Sequence, residues 1–262
     1  MISVKNLTKR YVNVAAVDNI SFDVEDGDIV GLLGPNGAGK TTTMRILTCF
    51  MPATEGSATV AGYDVFHDSI KVRQNTGYLP ENVPLYLDMR VNEYLLFRAR
   101  LKKIPRRNRR KKMGDCLEMC GITDVQNQII GTLSKGYKQR VGLADTLIHD
   151  PEILILDEPT IGLDPNQIIQ IRKVIKDLGK KHTILLSTHI LPEVEMICNK
   201  VIIINKGKIV AMDTPSNLMN QLKSCTSIVL EIRGDGNKIK DSISRVAGIR
   251  SVVWREKGDV NE

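Results

Sequence analysis

The nine residues GPNGAGKTT at positions 34–42 fit the pattern G-x-x-x-x-G-K-[ST]. Before them stands IVGLL, a short apolar run of the kind that forms a strand buried on both faces. After them TTTMRILTC reads as a helix. Strand, glycine loop and helix in that order form a cradle for phosphate. Gly34, Gly37 and Gly39 let the backbone curl until its amides point inward, with Pro35, Asn36 and Ala38 completing the loop. Lys40 is placed to reach the β- and γ-phosphates, the Thr41 hydroxyl to ligate Mg²⁺, and Thr42 to extend the anion-binding helix start. The expected ligands are therefore a nucleoside triphosphate and Mg²⁺.

A triphosphate site also needs a metal anchor and a group to steer water. LILDEPT at 154–160 supplies two acids at the end of a second buried strand. Asp157 is expected to hold magnesium through its water shell, and Glu158 to act as general base or to position the attacking water. His189 ends a third apolar run, HTILLSTH, at the edge where open α/β sheets bind ligands. Buried strands alternating with helices define an α/β fold with a mainly parallel sheet.

The N-terminal SVKNLTKRYVN and SFDVEDGD alternate as antiparallel strands, with Asp26-Gly27 as a turn. Residues 85–101 read as one helix, capped by Asp88, with Met89, Tyr94, Leu95 and Leu101 in an apolar stripe. The basic stretch KKIPRRNRRKKM follows, broken at Pro105, and DCLEMCGI closes a further helix at Gly121. PNQIIQIRKVIKDLGKK and LPEVEMICNK are helical, and KVIIINKGKIVAMD is a hairpin around Lys206-Gly207. After about residue 224 a small β-α-β unit begins and stops. Either it is cut short or another surface completes it.

The net charge of +7 suits an anionic partner, while 4% aromatic content argues against a base-stacking surface. Five scattered cysteines, without a histidine pattern, read as free thiols of a reducing compartment rather than a metal site. No apolar run approaches the ~20 residues that cross a bilayer.

A second anion-binding feature stands at 132–140, TLSKGYKQR: small residues opening a helix. With it, the order of motifs resembles the nucleotide-binding subunit of an ATP-binding cassette (ABC) transporter, over residues 1 to about 222. LSKGYKQR matches that family's signature. The resemblance implies a phosphate-loop NTPase of ABC type: a core parallel sheet, an N-terminal antiparallel β-subdomain and a helical insert at about 85–145, followed at 223–262 by a partial C-terminal α/β domain. It implies two subunits paired head to tail, a homodimer being expected, with Ser134 and Gly136 serving the partner's nucleotide. It places Tyr11 where an aromatic stacks on adenine, and Asp164 of GLDP where an aspartate links the two sites. Glu81, in GYLPEN, takes the place of a metal-contacting glutamine. Lys135 stands where glycine is usual and Tyr137 where glutamine is usual. The stretch GYLPENVPLYLDMRVNEYL resembles ATPases of the type-2 exporter class, the gliding-motility type in particular.

The resulting expectation is an ATP-hydrolysing motor that drives a separate transmembrane permease, in export, from the cytoplasmic face of the membrane. The alternative is a soluble ABC ATPase working on the ribosome or on nucleic acid. One cassette, no heptad run and no aromatic–basic interleaving weigh against nucleic acid as a partner. The basic stretch at 102–112 is open between a solvated helix end with its loop and a surface facing lipid head groups.

Overall fold

The computed structural model describes residues 1–223, and Ile243 beyond them. Apart from Lys223 and Ile243, the small unit expected at 223–262 lies outside the described residues. Met1–Asn220 forms one compact unit.

Two sheets organise it. The first is antiparallel, in the order β2 (Val14–Val24), β1 (Ile2–Tyr11), β4 (Glu55–Val60), β5 (Tyr63–Asp64). The second has six strands, in the order β10 (Lys208–Asp213), β9 (Lys200–Asn205), β3 (Ile29–Leu33), β8 (Thr183–Thr188), β7 (Ile153–Asp157), β6 (Thr76–Leu79). Among the described residues only its β9–β10 pair is antiparallel.

Side chains alternate across a strand, so each central strand feeds two cores. Ile153 and Ile155 of β7 face one way, with Val30, Leu32, Leu185 and the inner face of the antiparallel sheet. Leu154 and Leu156 face the other, with Ile184, Leu186 and the helices. On the first side sits α1 (Lys40–Leu47), burying Met44, Ile46 and Leu47. On the second lie α3 (Val91–Leu101), α4 (Arg106–Met119), α5 (Lys135–Leu147), α6 (Pro165–Leu178) and α7 (Leu191–Ile197). The short α2 (Ser69–Asn75) precedes β6, and α8 (Pro215–Lys223) follows β10.

The helix expected at 85–101 is corrected. Residues 85–90 are not helical. Arg90 is extended and bridges Ile129, while Val91 and Asn92 donate to the carbonyls of Gln128 and Gln126. The pairing with 126–131 claims these backbone groups, so α3 starts at Val91 and Asp88 does not cap it. Glu93 reaches back to the Arg90 amide instead, at 3.1 Å. Leu101 leaves the apolar stripe and is exposed, whereas Tyr94 and Leu95 are buried. The basic stretch, left open between a solvated helix end with its loop and a lipid-facing surface, turns at residues 102–105 and is helical after that. Arg106 opens α4 directly after Pro105, and Lys112 pairs with Asp150 at 2.6 Å.

Helix α4 does end where Gly121 takes a positive φ of 59°. The thiols of Cys116 and Cys120, one turn apart, are free and buried. Burial pushes Cys116 up to about 12 and Cys120 higher still. Neither is a thiolate nucleophile.

Candidate nucleotide site

The carboxyl ends of β3, β7 and β8 lie side by side, and each delivers one part of the site. Such an edge is where parallel sheets take ligands, because the connecting loops diverge there and helix starts face inward.

The loop after β3 has room for no side chain at two of its glycines. A Cβ on Gly34 would stand 2.2 Å from the Ile204 carbonyl oxygen, and one on Gly39 would stand 2.4 Å from that of Ala16. Gly39 also has φ +108°, a conformation that L side chains rarely adopt. The loop is held from beneath. Gly34 donates to the Thr188 carbonyl at 3.3 Å, and Gly207 donates to the Ala38 carbonyl at 2.9 Å. Pro35, Asn36 and Gly37 are exposed on top. The first helical bond of α1 runs from Thr43 to Gly39, so the amides of Lys40, Thr41 and Thr42 lack helical partners and face the loop.

Lys40 is 5% exposed and folds back over the loop. Its ammonium donates to the carbonyl oxygens of Gly34 at 2.7 Å and Pro35 at 3.2 Å. It also lies 3.2 Å from Glu158 Oε1, without the alignment of a hydrogen bond. Glu158 is equally buried and sits in the left-handed region at φ 48°. Strain of this kind in a non-glycine residue concentrates at functional sites. Here it turns the Glu158 amide onto Ser187 Oγ, at 2.9 Å, and its carboxylate back toward Lys40. The other carboxylate oxygen, Oε2, lies 3.0 Å from His189 Nδ1.

Asp157 is fully buried. Its Oδ1 accepts from Ser187 Oγ at 2.6 Å and from Thr41 Oγ1 at 3.1 Å. Its Oδ2 is buried with no partner. A buried carboxylate oxygen left bare is costly unless a cation completes it. One carboxylate and one hydroxyl also suit magnesium, which is held by few protein oxygens beside phosphates and water. The residues present fit that metal.

The expected residues fall into two groups. The phosphate loop, Thr41, Asp157, Glu158 and His189 are joined in one contact network. Ser134, Gly136 and Asp164 are not part of it. Ser134 caps α5, accepting from the Tyr137 amide at 3.4 Å. Gly136 is buried against Gln167, whose side chain would lie 2.5 Å from a Cβ. Asp164 caps α6, accepting from the Gln167 amide at 2.9 Å. The Lys135 ammonium lies against Gly162, and Tyr137 donates to Asp124 at 2.6 Å. Tyr11 stands at the tip of the β1–β2 hairpin, 44% exposed, its hydroxyl 3.0 Å from Met51 Sδ. Glu81 is exposed in the loop after β6 and makes no hydrogen bond or ion pair among the described residues.

Ser187 was not among the expected residues, yet it bridges both acids. The signal was present, a hydroxyl ending the apolar run TILL beside His189, but nothing in the sequence alone pairs it with residues thirty positions earlier.

This geometry defines a class, a nucleoside triphosphatase of the phosphate-loop kind on a parallel α/β sheet. The comparisons make it specific. The sequence profile of the ABC transporter family matches residues 17–161, and the chain belongs to that family. It is similar to the linearmycin resistance ATP-binding protein LnrL of Bacillus subtilis (strain 168), 33% identical over 257 residues, or 98% of this chain and 83% of that protein. It is also similar to the bacitracin transport ATP-binding protein BcrA of Bacillus licheniformis, 38% identical over 80% of this chain and 68% of that one. Among solved structures it resembles the ATP-binding cassette MJ0796, in a dimeric post-hydrolysis state bound to ADP and Pi. The TM-score is 0.75 at 25% identity, over 82% of this chain and 99% of that chain. It resembles cbiO1 from Clostridium perfringens, part of the ABC transporter complex cbiONQ, with TM-score 0.77 at 26% identity, over 85% and 91%. The chain is an ATP-binding subunit of the ABC type and hydrolyses ATP. Among the described residues no helix is long and apolar enough to cross a membrane.

Proposed function

We propose that two copies of this chain clasp two ATP molecules between them and drive a separate transmembrane permease in export, from the cytoplasmic face. The observation that carries the reading is the division of the site. Lys40, Thr41, Asp157, Glu158 and His189 form one contact network, while Ser134 and Gly136 touch other parts of the same chain. A helix start with small residues at Ser134 and Gly136 suits the close approach of a phosphate supplied by another copy. Under two-fold symmetry each copy then contributes both halves. The dimeric cassette structure bound to ADP and Pi supports the same arrangement. That LnrL is a linearmycin resistance protein and BcrA a bacitracin transport protein supports export.

In this reading the γ-phosphate displaces Glu158 from Lys40, and the ammonium turns from the Gly34 and Pro35 carbonyls to phosphate oxygens. Glu158, released on that side and still held by His189, accepts the proton of the attacking water. Thr41 and Asp157 would hold magnesium, with the exposed Glu81 reaching its water shell; bound there, the ion neutralises charge on the β- and γ-phosphates. Tyr11 would stack on adenine, and Asp164 would meet the partner across the dimer.

The test is phosphate release by the purified chain, with Glu158→Gln as control, joined to analytical ultracentrifugation. Glu158→Gln is expected to stop turnover and to accumulate an ATP-bound dimer, and bulky residues at Ser134 and Gly136 to abolish that dimer. A lone monomer that turns over fully with both positions filled refutes the reading. Co-purification from detergent-solubilised membranes, compared with ribosomes, checks the permease partner.

A further inference from the structure

We infer that Thr188, Glu193 and Arg172 form a buried brace that positions His189 against Glu158, tying the imidazole to the helix that starts at Asp164. The inference rests on the role proposed for His189 and adds three positioning residues to it.

His189 is poorly held by packing, because its side chain is 40% exposed. Its place is set by the backbone on either side. Thr188, fully buried, accepts from the Ile190 amide at 3.1 Å through Oγ1, closing a tight turn around His189. The same hydroxyl donates to Glu193 Oε2 at 2.7 Å. The Thr188 carbonyl accepts from Gly34 of the phosphate loop. So the residue before His189 is fixed at once to the loop, to α7 and to its own turn.

Glu193 is 2% exposed, on α7. An ionised carboxylate so deep requires compensation. Arg172 supplies it, its Nη2 lying 3.3 Å from Glu193 Oε1. Arg172 belongs to α6, which Asp164 caps two turns earlier. The chain of contacts therefore runs from α6 through Arg172, Glu193 and Thr188 to the backbone of His189, and across 3.0 Å to Glu158. A shift of α6 is transmitted to the imidazole, because each link is a directional hydrogen bond or ion pair in a packed interior. None of the three brace residues touches the phosphate loop's ligand face. They position His189 rather than react.

Glu193→Gln tests the chemistry with little change in volume. The amide keeps one acceptor oxygen and no charge, so the ion pair to Arg172 is lost and an Nε2 turned to Thr188 can only donate to it. Misplacing a catalytic neighbour by about 1 Å costs up to about a hundredfold in rate, so kcat is expected to fall about ten- to hundredfold with KM for ATP unchanged within about twofold. Thr188→Val, which removes the hydroxyl, is expected to match it, and Thr188→Ser, which keeps it, to retain turnover within about twofold. The chain has four histidines, so the His189 imidazole resonance can be assigned by its loss in His189→Ala. In Glu193→Gln that resonance is expected to move toward its position in Glu158→Gln. Unchanged kcat and an unmoved resonance in folded Glu193→Gln, or Thr188→Ser as impaired as Thr188→Val, overturns the brace. Full turnover by His189→Ala refutes the proposed role of His189 instead, and the resonance still decides the brace.

Discussion

The Lys40–Glu158 pair offers a quantitative test on the ligand-free protein. The two groups are 3.2 Å apart, with side chains 5% and 6% exposed. At an effective dielectric constant of about 20, opposite charges at that separation attract by roughly 5 kcal/mol. Desolvation of both offsets much of this, so the net contribution is small, but removing one partner strands the other in the interior at about 3–5 kcal/mol. Lys40→Met keeps the volume and removes the charge. Glu158 retains His189 at 3.0 Å, which places the expected loss at the lower end, about 3 kcal/mol. In a domain of this size that lowers the melting temperature by roughly 6–12 °C. Glu158→Gln on its own leaves an ammonium that still donates to the Gly34 and Pro35 carbonyls, so it costs about 1 kcal/mol. The double variant is expected to recover about 2 kcal/mol relative to additivity, read from urea unfolding of all four proteins without nucleotide. Additivity within about 0.5 kcal/mol would mean that the two charges do not sense each other, and the displacement of Glu158 from Lys40 by phosphate would lose its basis.

Asp157→Asn is expected to leave the apo melting temperature unchanged or raised, since it removes a buried charge with a bare oxygen. It should also abolish the extra stabilisation by magnesium with ATP, which at a hundredfold excess over Kd is about 2.7 kcal/mol by thermal shift. Gly39→Ala must move from φ +108° and away from the Ala16 carbonyl; loss of nucleotide binding by equilibrium dialysis, with the chain still folded, is the expected outcome. His149, whose Nε2 lies 3.2 Å from the Thr76 carbonyl, is pushed down to about 4, first by burial and then by the nearby Lys102 charge. Its stabilising contribution is complete above about pH 6.5 and lost as pH falls through that window toward 4. Between about pH 7 and pH 5 it accounts for about 2 kcal/mol of lost stability in urea unfolding, a loss that His149→Gln should remove.

The phosphate loop and the acids after β7 were legible because their chemistry is local: fixed spacing, a strand before, a helix after. The hairpin at Lys206-Gly207 was legible for the same reason, both residues taking the positive φ that such a turn demands. Strand β6 was missed because four residues, TGYL, carry too little pattern; its parallel register with β7 makes it a strand. The start of α3 was misplaced because Asp88 is a good cap locally, while the deciding partner, Ile129, lies far along the chain. Ser187 and Glu193 were missed for a related reason. A hydroxyl and a carboxylate acquire their roles only when β7, β8, α6 and α7 are brought together.

The floor of the phosphate loop belongs to other strands. Gly34 rests on the Ile204 carbonyl, Gly39 on that of Ala16, and the Ala38 carbonyl is satisfied by Gly207. Gly207 in turn accepts from Asp18. Grip on the triphosphate is therefore adjustable from positions in two hairpins that lie beneath the loop and not on its ligand side. Directed evolution for tighter or weaker ATP affinity would find variants at 15–18 and 204–208 that leave the motif itself untouched.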